Sequence, residues 1–142
     1  MGTSFRDSVE QCFRPLVHEH GFRVHTAGYD RRDFGNAVVV LESDECSIRV
    51  VRDRGQVFVE LASAAEPGNW FPLERVIEAI GGSASGLAPA MELEAASSLI
   101  EANYSRLAEC LGPLRYPETK RELERLGELA KQRFLSRLQP RG

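Results

Sequence analysis

The sequence predicts an α+β domain: one antiparallel sheet with helices packed on it, in the order α-β-β-β-β-α-α-α. Three observations carry that expectation. Apolar residues recur at helical spacing near both ends of the chain. Four short runs between them are β-branched or alternate apolar with polar. The connections between those runs are too short for the crossover helices that parallel strands need, so the sheet reads as an antiparallel four-stranded meander. At 142 residues the chain has the length of one domain, which we take as 1–142 with a helix, sheet and short helix over 1–82 and a helical extension over 88–139.

The first helix rests on Phe5, Val9, Cys12, Phe13, Leu16 and Val17, which form one apolar stripe over three turns. Ser4 and Asp7 resemble a capping box, and Gly21 suits a left-handed stop. Pro15 removes one backbone donor and crowds the carbonyl of residue 11, so a kink or two short helices end to end is expected there. Strands are expected at Phe22-Arg23-Val24-His25, at Ala37 to Leu41, at Cys46 to Val50 and at Val57 to Leu61. Asp53-Arg54-Gly55 joins the last two, with glycine where a hairpin wants positive φ. Pro72 opens a short helix carrying Leu73, Val76, Ile77 and Ile80, which Gly81-Gly82 closes. Gly82 to Gly86 is linker-like. A helix from about Ala90 to Leu111 follows, then one from Thr119, with Glu122 as its capping-box partner, to about Leu138.

One sheet face is apolar through Cys46, Ile48, Val50, Val57, Val59 and Leu61, and the first helix and the Leu73–Ile80 helix can bury it. The other face carries Ser47, Arg49, Val51, Gln56, Phe58 and Glu60. It is too apolar around Val51 and Phe58 to be solvated throughout. Either the carboxy-terminal helices cross it or a partner does.

Composition excludes several classes. Apolar residues make up 42% and charged residues 27%, which is ordinary for a folded domain and unlike a disordered chain. The longest apolar run, Ala37 to Leu41, is far short of the roughly 20 residues a membrane helix needs. The amino terminus has no apolar signal core, which points to the cytoplasm. Net charge is −3, so no overall field favours nucleic acid. Cys12, Cys46 and Cys110 are odd in number and far apart, as reduced thiols in a packed interior would be.

His18, His20 and His25 invite a metal reading with Glu19, but residues two apart on a helix point about 200° apart, so His18 and His20 cannot share an ion. No metal motif, serine elbow, phosphate loop or dinucleotide fingerprint occurs. No catalytic residue, cofactor or metal ligand is therefore assigned. An enzyme would need a deep pocket that brings a histidine within reach of a carboxylate. A nucleic-acid protein would need Arg121, Arg125, Lys131, Arg133 and Arg137 to form one exposed stripe on the last helix. That is the less favoured partner class.

Binding to a protein or to a second copy of the chain is the reading that remains. Asp30, Arg31, Arg32 and Asp33 form a charge-dense connection between strands, suited to ion pairs across an interface. Arg49, Phe58 and Glu60 lie on the mixed face. Trp70 sits in a Pro/Gly loop, where a large aromatic either staples a helix to the core, the role expected here, or projects as an anchor.

The run from Gly21-Phe22-Arg23-Val24, through Ser47 to Glu60, to Trp70-Phe71-Pro72-Leu73 resembles a recurring type of small bacterial α+β protein. Some of these are similar to immunity proteins that block a toxin. The resemblance spans residues 5–80. It implies an inhibitor that masks a protein partner through its surface, and it transfers no catalytic residue.

Overall fold

The computed structural model describes residues 4–30, 36–83 and 87–138, with backbone alone for residues 26–30 and 36. Two helices open the chain, α1 (Phe5–Cys12) and α2 (Arg14–His20). Ser4 Oγ accepts the Asp7 amide at 3.1 Å, as its place before the apolar stripe implies. Between the helices Phe13 leaves helical geometry at ψ 9°, and Pro15 falls in the first turn of α2, where its missing donor costs nothing. Gly21, at φ 71°, ends α2 by turning its own amide and that of Phe22 onto the Leu16 carbonyl.

The sheet has five strands, not four: β1 (Arg23–Asp30), β2 (Asn36–Glu42), β3 (Cys46–Asp53), β4 (Gln56–Ser63) and β5 (Phe71–Pro72). They lie in chain order, all antiparallel. The fifth strand is two residues long and pairs Phe71 with Leu61 and Pro72 with Glu60. Pro72, expected to open the helix, ends this strand instead, and at a sheet edge its missing donor is tolerated. β1 runs five residues beyond the expected His25, through Ala27 and Gly28, which are poor strand formers. Pairing with the valine-rich β2 overrides that local preference, across a bulge between Val24 and Thr26. The β3–β4 hairpin turns on Arg54 and Gly55, both at positive φ (52° and 81°), the geometry that matches strand twist.

Four helices follow: α3 (Leu73–Ala79), α4 (Leu93–Ala102), α5 (Tyr104–Cys110) and α6 (Tyr116–Leu138). The helix expected over Ala90 to Leu111 is thus shortened and split. Its first residues are drawn into the sheet, where the Met91 amide donates to the Val57 carbonyl at 3.0 Å. It then breaks at Asn103, whose side-chain amide donates to the Leu99 carbonyl at 2.8 Å and competes with the backbone ladder. The last helix starts three residues before the expected Thr119. Thr119 already lies inside it and donates to the Arg115 carbonyl, so there is no capping box, and Pro117 sits in the first turn, where proline is tolerated.

One core joins every helix to a single sheet face. Val9, Leu16, Val76, Ile77, Ile100, Leu107, Tyr116 and Leu123 pack with Val39, Leu41, Ile48, Val50, Val59 and Leu61. The face expected to be buried is buried, and the helices beyond Gly82 lie on that same side. Among the described residues no helix covers the opposite face.

Candidate partner-binding face

Strand register builds the uncovered face row by row, because successive side chains alternate between faces and the strands are in antiparallel register. The central row is Val40, Arg49, Glu60 and Pro72, one residue from each of β2 to β5. Beside it runs Val38, Val51 and Phe58, and the Phe58 backbone bridges to Ala90. Val38 is 37% exposed, unusual for a valine in a central stretch of strand.

At the centre of this surface Arg49 donates to Glu60 Oε1 from Nε at 3.0 Å and from Nη2 at 2.7 Å. The two side chains are 32% and 24% exposed, a pair that is sheltered without being buried. The Arg49 guanidinium also lies over the Trp70 ring, 4.7 Å from its centroid. Glu60 neutralises the arginine, and the indole packs against its guanidinium. The result is a rigid polar patch between the valines of β2 and Phe58.

Next to the patch is a shallow hollow of about 270 Å³ lined by Val51, Phe58, Pro72 and Pro89 together with Asp53, Glu60 and Glu74. Among the described residues no lysine or arginine lines it. Burial raises the Glu74 carboxyl above the usual carboxylate range, against the lowering effect of its backbone hydrogen bond and Arg75, and Glu60 adds to the rise. The hollow therefore pairs an apolar floor with an excess of acid.

The expected site residues divide into three groups. Arg49, Phe58, Glu60 and Trp70 come together on this face. Trp70 is not the staple. Its neighbour Phe71, the first residue of β5, enters the core instead, while the Trp70 ring lies against Arg49. Asp30 closes β1, but its side chain, and Arg31, Arg32 and Asp33 entirely, lie outside the described residues. The sequence did not point to Pro72, Glu74 and Pro89 as part of the surface. Glu74 falls in the first turn of α3, and Pro89 stands in a segment whose return to β4 has no sequence signature.

The histidines separate as helix geometry requires. His18 lies beside Arg6, Arg14 and Arg23 on one side of α2. His20 turns the other way, stacked on Tyr104 at 3.7 Å between ring centroids. His25 Nδ1 is 3.4 Å from Glu42 on open surface. Of the basic residues of α6, Lys131 and Arg133 are two apart on the helix and point about 200° apart. Arg125 is tied to Glu122, and Arg125 and Arg133 line a groove shared with Glu74 and Glu78 of α3. The apolar stripe of the same helix does continue outward. Tyr116, Leu123 and Leu126 are buried, whereas Phe134 and Leu138 are 61% and 64% exposed.

Comparison with protein-family models, with curated proteins and with solved structures returns no match.

Proposed function

We infer that the chain is a non-catalytic binding protein that docks a protein partner on its outer sheet face, acting as an immunity-type inhibitor that masks the partner's working surface. The observation that carries this reading is the uncovered central row, where Arg49 is held by Glu60 and Trp70 between the exposed Val38, the half-buried Val40 and the Phe58 hollow. Tryptophan and arginine dominate binding hot spots because each combines a large apolar contact with a directed polar group. Holding both rigid in the free protein lowers the entropy lost on association. The acid-lined hollow supports a partner that presents a basic side chain, whose aliphatic stem would rest on Val51 and Phe58 while its head meets Asp53 and Glu74.

The test is affinity capture with wild type and with Phe58→Arg, which reverses the chemistry of the hollow without touching the core. A protein retained by wild type and released by the variant, with unchanged circular dichroism, supports the reading. Equal retention by both rejects it.

A second reading, self-association, is favoured by the exposed Phe134 and Leu138 at the tip of α6. Light scattering across concentration separates the two. A stable dimer that Phe134→Ser dissociates, with the sheet face unaffected, would assign that role to the helix tip.

A further inference from the structure

We propose that Glu19, His20 and Glu101 form a binding site for a borderline-soft divalent cation of the zinc type, at the junction of α2 and α4. The three side chains come from two helix ends that sequence spacing does not connect. Their ligand atoms, one carboxylate oxygen from each glutamate and an imidazole nitrogen, all lie within 4.8 Å of one another. A tetrahedral site with metal–ligand bonds of about 2.0–2.2 Å separates its ligand atoms by roughly 3.3–3.6 Å. Moving each atom inward by somewhat under about 1 Å, a small rotamer adjustment, closes that gap.

Two features of the cluster favour a cation, and a third orients the imidazole for one. First, the carboxylate oxygens of Glu19 and Glu101 lie within 4.8 Å of each other and of an imidazole nitrogen, and two like charges this close repel unless a proton or a cation lies between them. No lysine or arginine is paired with either among the described residues. Second, Glu19 and His20 occupy the last turn of α2, and Glu101 the last turn of α4. Both helices therefore direct their negative ends at this spot. Third, the imidazole is held in place. It stacks on Tyr104 with 20° between the planes, and the Tyr104 hydroxyl donates to Glu45 at 3.0 Å. Stacking occupies the ring face and leaves the nitrogens at the edge to bind. One imidazole with two carboxylates suits zinc, manganese or iron(II) better than calcium or magnesium, which favour oxygen alone. Three protein ligands on half-exposed surface leave the remaining position to water.

The experiment titrates the full chain with zinc alone against a chromophoric chelator, in a Cys12→Ser, Cys110→Ser background that removes the half-buried thiols as competing ligands. Wild-type site residues should withdraw one equivalent of zinc. His20→Gln and Glu101→Gln should each weaken uptake by about a hundredfold or more, since loss of merely an outer hydrogen-bond partner of a ligand costs about 10–100-fold. Melting supplies a second readout with opposite signs. In excess chelator Glu101→Gln should melt above the parent, because it removes a carboxylate facing Glu19. With zinc present the order should reverse. If Glu101→Gln fails to fold, Glu19→Gln on the exposed side gives the same pair of readouts. The proposal is overturned if zinc uptake is unchanged in these variants, or if zinc leaves the parent's melting point where it was. It is equally overturned if the variants are stabilised in chelator and in zinc alike, which would mean that the carboxyls share a proton only.

Discussion

The two faces of the sheet are made from the same strands and the same kinds of residue, yet they have opposite fates. Ile48 and Val50 alternate along β3 with Arg49 and Val51. The first pair is fully buried, and the second is not. Hydrophobicity alone does not explain the difference, since Val38, Val40, Val51 and Phe58 would bury as readily as the inner residues. Helix supply does. Among the described residues the six helices all lie on the inner side, where a single core collects them, and the outer apolar residues have an ion pair, an indole and a passing edge segment as neighbours. The inner face is committed to folding, and the outer face is left available for contact.

The largest effect that could break this comparison is a cavity. Ile48→Ala should cost about 2–5 kcal/mol in denaturant unfolding, because the side chain is enclosed by the core and its neighbours relax only partly. Val51→Ala, three residues along the same strand and on the other face, should cost under about 1 kcal/mol. Comparable losses at both positions would mean that the outer face is as much a core as the inner one.

A smaller effect concerns what ties the inner layer together at its edge. The buried Ser63 hydroxyl, at the end of β4, donates to the Leu111 carbonyl just past α5 at 2.5 Å. Ser63→Ala leaves that carbonyl without its partner in a closed site, so a loss of about 1–3 kcal/mol is expected in the same assay. No equivalent cross-layer bond holds the outer face among the described residues, and Ser47→Ala there should be close to silent.

Acid should distinguish the layers too. Glu66, in the β4–β5 loop, accepts from Asn69 at 2.5 Å, from Lys120 at 2.8 Å and from Tyr116 at 2.7 Å, fastening α6 to the sheet. Those bonds, Asn69's first, hold its carboxyl down at about 2 against an ordinary 4.5. A lowered folded-state value means stability that is fully present above about pH 4.5 and lost as pH falls through about 2. Glu66→Gln should flatten that part of the pH–stability curve. A variant that lost stability over this interval as steeply as wild type would show that Glu66 does not anchor the helix.

The legible part of this structure was the part written in short-range pattern. Alternation along Cys46–Val50 and Val57–Leu61 identified the buried face, and Pro15 identified the break between α1 and α2, because in each case the cause lies within a few residues. The capping box assigned to Thr119 failed since a capping pattern inside a helix looks the same as one at its start, and Pro117 just before it is accommodated by the first turn. β5, the long β1 and the return of Met91 to β4 were invisible for a different reason. Each exists only because a partner strand supplies hydrogen bonds from far away in sequence. The candidate sites follow the same rule. Arg49 and Glu60 could be placed on one face from register, whereas Glu101 meets His20 only through helix packing, eighty-one positions away.

The smallest predicted effect is the most informative about the outer face. Arg49 and Glu60 sit directly opposite each other on neighbouring strands, and their bond is short. A buried pair of this geometry would be expensive to break, because removing one partner strands the other charge away from water. This pair is partly open to solvent, so the freed charge can rehydrate, and screening reduces what the contact contributes. A double-mutant cycle with Arg49→Met and Glu60→Gln should therefore return a coupling of at most about 1 kcal/mol, falling further as salt is added. Trp70→Ala should shrink that coupling, since the indole restricts the guanidinium and limits water on one side. A coupling several times larger and insensitive to salt would mean that the patch is sealed in the free protein, by the chain itself or by a second copy. The outer face would then be a second interior, and no longer a surface prepared for a partner.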